Sequence, residues 1–171
     1  DAILCNDSDG EVQMQAILSL NATTDEAKTP ILQAVPNCLG DVWRQRALLI
    51  AAPNLAADMA EVVLRHSSDL SDFATHGEFL KSLAFNVAAR GNIEQLQKAT
   101  KLIGPGTESA LWWQTAIVIG LADGLPRCQN AEVPKNLAAF LQSPPATFKG
   151  SLQAAANVVR LATETAVDSS H

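Results

Sequence analysis

The 171 residues contain no tyrosine, and aromatic side chains make up only 5% of them. Sheets draw on aromatic and β-branched residues, whereas much of the 47% hydrophobic content here is Ala and Leu, which suit closely packed helices. The expected class is therefore all-α. Long apolar runs are also missing. The longest, 47–57, is broken by Pro53 and Asn54 and falls short of the ~20 residues that a membrane-spanning helix needs. Composition thus reads as soluble, with no direct membrane insertion.

Positive charge is scarce. Twelve Lys and Arg stand scattered against eighteen Asp and Glu, giving a net charge of −6 and a pI near 4.9. Binding to nucleic acid needs a concentrated cationic face, so a nucleic-acid partner is not expected. The three cysteines, Cys5, Cys38 and Cys128, form no Cys-x-x-Cys and no Cys/His cluster at ligand spacing, which removes the usual zinc frameworks. An odd count leaves at least one thiol unpaired within the chain, and buried apolar thiols are the simplest reading. The redox compartment is left open. Also absent are a nucleophile elbow, a phosphate-binding glycine loop, a paired-histidine metal helix, a calcium loop and a dinucleotide fingerprint. No catalytic residue, cofactor or metal is expected in this segment. A signal-peptide pattern and an initiator Met are lacking as well, so the chain reads as an excised or processed segment of a longer one.

What is present is length and repetition. At 171 residues roughly 70% of the unfolded surface can be buried, enough for one domain over 1–171 with no staple. Asp9-Gly10-Glu11 leads into apolar positions Val12, Ala16 and Leu20 at helical spacing, and Gly40-Asp41-Val42 leads likewise into Trp43, Ala47 and Ala51. Carrying that register forward aligns Ala16, Ala47, Ala84 and Ala116, which lie 31, 37 and 32 residues apart, with a looser fifth copy about 39 further on at Ala155. Such periods belong to two-helix repeats, and a small anchor lets each helix approach several neighbours.

Between the anchored helices lie their hairpin partners. Thr24 is a candidate N-cap for a helix running to about Val35, with 36–40 as the break after it. Pro53-Asn54 separates the second anchored helix from one over 55–65 with the apolar stripe Leu55, Met59, Val62 and Val63. After the polar link 67–71, the segment 74–77 begins or precedes the fifth helix. Asn92 caps the next, turning Ile93, Leu96, Ala99, Leu102 and Ile103 inward, and Gly104-Pro105-Gly106 ends it. Helices over 112–125, 132–142 and 148–165 complete the chain, with 167–171 fraying.

The candidate interaction surface is Trp112, Trp113, Trp43 and Arg44. Consecutive tryptophans on one helix cannot both face the same core, so one packs between repeats and the other is a candidate partner anchor, Trp being favoured at interface hot spots. Arg44, Arg46 and Arg160 read as bridges to acidic turn residues of adjoining repeats. His66 and His76 read as surface or loop-capping residues, His171 as part of a tail, and Asp69, Asp72, Glu78 and Asp123 as helix caps or solvated groups.

The stretches 9–16 and 40–47 resemble the HEAT turn-and-helix consensus of Asp, then Val-Arg, then Ala, with Gln13 standing in place of the Arg. That resemblance implies an α-α superhelix, a HEAT or armadillo-like solenoid of about four to five hairpins. Phe79-Leu80 through Arg90-Gly91, then Ala110-Leu111-Trp112-Trp113 and Gly120-Leu121-Ala122-Asp123-Gly124-Leu125, resemble the helical region of large planctomycete and verrucomicrobial proteins. In that family the helices separate a dehydrogenase-like β-propeller from a C-terminal cytochrome c domain. The resemblance implies a periplasmic or cell-envelope parent carrying haem c, although no Cys-x-x-Cys-His occurs in this chain.

The expected role is a non-catalytic scaffold or protein-interaction module: a spacer within such a dehydrogenase, or else a stand-alone adaptor. Its partner would be another protein or the neighbouring domains of its own chain. A helical-repeat enzyme such as a DNA glycosylase is the weakest alternative, because its DNA-binding face would have to be basic.

Overall fold

Two aspartates start the stack. Asp9 Oδ1 accepts hydrogen bonds from the backbone N–H groups of Glu11 at 2.9 Å and Val12 at 3.3 Å, opening α1 (Gly10–Ser19). Asp41 Oδ1 does the same for Trp43 at 2.8 Å and Arg44 at 3.2 Å, opening α3 (Val42–Ala51). Each cap satisfies first-turn donors that have no partner within the helix. The computed structural model of the chain describes residues 4–20, 25–66, 73–104, 112–143, 148 and 152–168. The helices α2 (Asp25–Cys38), α4 (Ala56–His66), α5 (Phe73–Arg90), α6 (Ile93–Leu102), α7 (Trp112–Gly124), α8 (Leu137–Gln142) and α9 (Leu152–Asp168) complete the set. Among the described residues there is no strand, as composition leads one to expect for an all-α chain.

The helices form two rows. In one, α1 packs on α3, α3 on α5, α5 on α7 and α7 on α9; in the other, α2 packs on α4 and α4 on α6. The pairs α2–α3, α4–α5 and α5–α6 join the rows, and the buried apolar side chains run as one cluster from Cys5 to Val158.

A buried glutamine recurs at the start of three helices of the first row. Four residues after each aspartate cap, Gln13 and Gln45 are buried, and Gln114 is buried on the first turn of α7. Each donates its Nε2 to a carbonyl of the segment just before its helix. Gln13 reaches Cys5 at 2.7 Å, Gln45 reaches Leu39 at 2.6 Å, and Gln114 reaches Ile103 at 2.6 Å. The matching caps and glutamines place α3 32 residues after α1. Ala16 therefore corresponds to Leu48, and the expected equivalence with Ala47 is off by one residue.

That shift turns the faces. Val12 and Trp43, which the apolar spacing groups with Ala16 and Ala47, point to solvent, while Gln13, Ala16 and Ile17 on α1 and Gln45, Ala47 and Leu48 on α3 face the core. Apolar counting alone passes over a buried amide and selects its apolar neighbour.

Other boundaries differ for identifiable reasons. The helix expected to stop near Val35 continues through Pro30 and Pro36 to Cys38. Each proline removes one helical donor and crowds the preceding turn, but Ala27, Ile31, Ala34, Val35 and Cys38 form a buried stripe at helical spacing whose burial outweighs that cost. The helix expected over 132–142 begins only at Leu137, where the Asn136 side chain caps Ala139 N–H at 2.7 Å. Upstream, the Asn130 side chain accepts from Glu132 N–H at 2.9 Å and holds a turn there instead. Phe148 lies outside α9, its ring set edge-on to Phe140 at 5.3 Å. The proposed cap Thr24 and the residues 169–171 lie outside the described residues. Asn92 caps α6 as expected, accepting from Gln95 N–H at 3.0 Å.

The tightest seam joins α5 and α7. A Cβ on Gly120 would run into the carbonyl of Lys81 and lie 2.8 Å from the Ala84 Cβ, and one on Gly124 would meet the carbonyl of Phe85 and lie 2.8 Å from the Ala88 Cβ. Two glycines four apart thus face two alanines four apart, and the helix backbones nearly touch. Gly120→Ala would gain about 1 kcal/mol in helix propensity, yet it must displace main chain. The expected net loss is about 1–3 kcal/mol by urea unfolding, whereas Gly40→Ala, where a Cβ meets nothing within 4 Å, leaves the midpoint nearly unchanged.

Candidate functional site

Of the four residues singled out in the sequence, only Trp43 stands out from the surface, 69% exposed on the outer side of α3. The Arg46 guanidinium lies 5.0 Å from its ring centroid and steadies it from the same helix. Arg44 turns the other way. Its Nε reaches Asp41 Oδ2 at 3.1 Å and its terminal nitrogen donates to Gln13 Oε1 at 2.8 Å, so it links α3 to α1 through an amide where an acidic partner was expected. Trp112 and Trp113 are both half-buried against the core, their rings edge-to-face at 6.0 Å, with Trp112 lying over Gly77. In the row α5 stands between α3 and α7, so the tryptophans do not form one patch.

The residues around Trp43 were not foreseen. Val42 and Ile50 share the exposed side of α3, Ile50 at 72%. Leu18, Ile50 and Ile119 each follow a buried glutamine by five residues, and all three are exposed. One outward position of the first row is therefore apolar on α1, α3 and α7. Apolar residues surround most of α3, so its periodicity does not distinguish an inward from an outward face. The glutamines were the available marker.

A second feature lies where the helix ends converge. A groove of ≈ 640 Å³ runs along the α3–α4 junction, the C-terminal half of α5, the start of α6 and the segment after α7. Asn54, Phe85, Arg90, Asn92, Arg127 and Gln129 line it, together with Gln95, and none of the described residues that line it is acidic. The Arg127 guanidinium sits 5.4 Å from the Phe85 ring centroid. Arg90 closes α5 and Arg127 follows the end of α7, far apart in sequence, which is why no local pattern connects them.

Gln95 borders the groove and secures its rim. Its Oε1 accepts from Ala57 N–H at 2.9 Å, its Nε2 donates to Asp58 Oδ2 at 3.0 Å, and Lys98 Nζ holds Asp58 Oδ1 at 3.0 Å. Burial opposes ionisation of Asp58, but the hydrogen bonds from Gln95 and Lys98, with the charges of Lys98 and Lys28, outweigh it and hold the carboxyl below its ordinary value of 3.8. Lys98 is correspondingly raised, first by its hydrogen bond to Asp58.

The titratable groups elsewhere are dispersed. His66 is exposed and its Nδ1 meets the Val62 carbonyl at 2.9 Å, but His76, expected at the surface, is buried within α5. It falls on the inner face of that helix with Phe79 and Leu80. Asp123 is exposed with Lys81 3.8 Å away, Glu78 is exposed, and Asp69, Asp72 and His171 lie outside the described residues. Among the described residues no three His, Cys, Asp or Glu side chains gather as metal ligands. Cys5, Cys38 and Cys128 are buried, and none of them forms a disulfide among the described residues. Burial pushes the Cys38 thiol up to about 12. No single helix among the described residues is long and apolar enough to cross a membrane, and the chain turns by 98° between Val42–Ala51 and Pro53–His66.

Two outcomes follow. A carboxyl held below its ordinary value contributes stability that is fully present above that value and is lost as the pH falls through the lower folded value. Asp58→Asn is therefore expected to lower the urea midpoint at pH 7, with the gap to the wild type closing as the pH falls below the ordinary carboxyl value of 3.8. At pH 8, Cys38 is expected to take up iodoacetamide only after unfolding, read by peptide mass; alkylation of the native chain at the rate of a free thiol would contradict its burial.

Comparison with known proteins finds no matching family model, no matching curated protein and no matching solved structure.

Proposed function

We propose that the chain is a HEAT or armadillo-like helical-repeat scaffold whose first row of helices presents an apolar face to a protein partner. The two-row packing supports the superhelix reading, since stacked hairpins of this kind give an extended surface that requires no reacting groups. The observation that carries the interaction reading is the outward apolar position of the adjacent helices α1 and α3, Leu18 and Ile50, reinforced on α3 by Val42 and Trp43 and repeated by Ile119 on α7 beyond α5. Singly exposed apolar residues are ordinary; the same register position left apolar on three helices of one row is a pattern. Trp43, held by Arg46, is its anchor.

The finer setting, a spacer in an exported haem-containing dehydrogenase, is carried by the resemblance of 79–91 and 110–125 alone, and none of the described side chains bears on it. Its test is the reduced-minus-oxidised spectrum of the parent chain, where a haem Soret band supports it.

For the interaction itself, a photo-crosslinking residue placed at position 50 is expected to capture one defined polypeptide, identified by mass spectrometry. The same residue at position 65, exposed on α4, should not capture it. Trp43→Ser with Ile50→Ser should reduce the capture at least about tenfold at unchanged melting temperature, since outward substitutions cost little stability. Equal capture at both positions, or capture that survives the double substitution, overturns the reading.

A further inference from the structure

We propose that the groove at the helix junctions is a docking site for an acidic polypeptide segment, an extended run of Asp or Glu side chains. The proposal deepens the scaffold reading by naming a partner chemistry, and it rests on that reading only in taking a polypeptide as the partner, because its residues are separate from the apolar row.

The lining offers donors. The Arg90 side chain is exposed at the end of α5 and forms no ion pair or side-chain hydrogen bond with any described residue, and Arg127 lies over the face of Phe85, an arrangement that leaves the guanidinium edge open. Asn92 uses its side-chain oxygen to cap α6, which turns its amide nitrogen into its remaining hydrogen-bonding group. Gln129 is exposed beside them. Two guanidinium forks and side-chain amides with no carboxylate between them match a ligand rich in acceptors: carboxylates for the arginines, main-chain carbonyls for the amides.

Dimensions favour a chain over a compact anion. The groove touches the junctions of three successive layers, at Asn54, at Phe85 to Asn92, and at Arg127. Packed helices stand about 8–10 Å apart, so that path is roughly 20 Å, about six residues of extended chain at ~3.3 Å each. A small dicarboxylate could occupy one end only.

The net charge of −6 works against long-range attraction of such a ligand. At physiological ionic strength charges beyond about 8 Å are screened, leaving the two arginines in contact with the ligand while the acidic remainder of the surface disfavours binding elsewhere. This combination fixes where the segment lies.

The probe is fluorescein-labelled hexaglutamate, titrated with the whole chain by fluorescence anisotropy at 0.15 M salt, with hexalysine, a hexathymidylate and free glutarate alongside. Saturable binding of hexaglutamate is expected, with Arg90→Ala and Arg127→Ala each weakening it about tenfold, or about 1.4 kcal/mol. Arg65→Ala, whose side chain pairs with Glu61 away from the groove, should leave it unchanged. Each variant is checked by its melting curve, and Arg90→Lys, which keeps the charge but loses the fork, should fall between. No saturable binding, equal loss with Arg65→Ala, glutarate competing as well per molecule as the peptide, or tighter binding of hexathymidylate each overturns the proposal. The Trp43→Ser, Ile50→Ser variant separates the two sites. If it loses its crosslinked partner but keeps hexaglutamate, the groove stands alone; if groove variants keep the partner and no peptide binds, only the groove proposal fails.

Discussion

A side-chain amide sealed inside an apolar core must find a partner, because leaving its donor unmade costs about 1–3 kcal/mol. In this chain that requirement falls on Gln13, Gln45 and Gln114, and each meets it with a main-chain carbonyl upstream of its own helix, for Gln114 that of Ile103 at the end of α6. The result is directional. The arriving segment is fixed to the first turn of the departing helix, so the rotation of that helix about its axis is set before any apolar contact is counted. Which residues face the core, and which are left outside, both follow from that rotation.

The α5–α7 seam adds a constraint of another kind. There the rotation is set by what is missing, since only the glycine edge of α7 can lie against Ala84 and Ala88 of α5. Polar pinning at the junctions and steric exclusion along the seam restrict the same degree of freedom from opposite ends. Gln95, which joins the start of α4 to α6 through Ala57 and Asp58, extends the polar pinning to the second row. The groove lies where these pinned ends meet, between the α3–α4 junction, the end of α5, the start of α6 and the segment after α7.

Much of the architecture was legible in sequence. Helical spacing, the polar turn residues at 9–11 and 40–41 and the Asn92 cap located most helices, because those signals are local. Rotation was not legible for α1 and α3: Val12 and Trp43 are as apolar as the residues that do face inward, and the buried amides beside them look polar until their carbonyls are known. Pro36 misled for a related reason, as the stripe that carries α2 past it derives its weight from packing on other elements. The site was harder still. Trp43 was visible as part of a candidate interaction surface, but Ile50 and Leu18 gain meaning only through alignment on the glutamines, and Arg90 and Arg127 come to line one groove only after three layers have stacked.

The glutamine contacts span only 8, 6 and 11 residues of chain. Loop closure over such distances takes tens of nanoseconds, and short-range contacts keep the entropy of the search low. Each junction therefore takes its geometry from its own few residues of chain, and the longer-range faces of the two rows are built between corners that are locally determined.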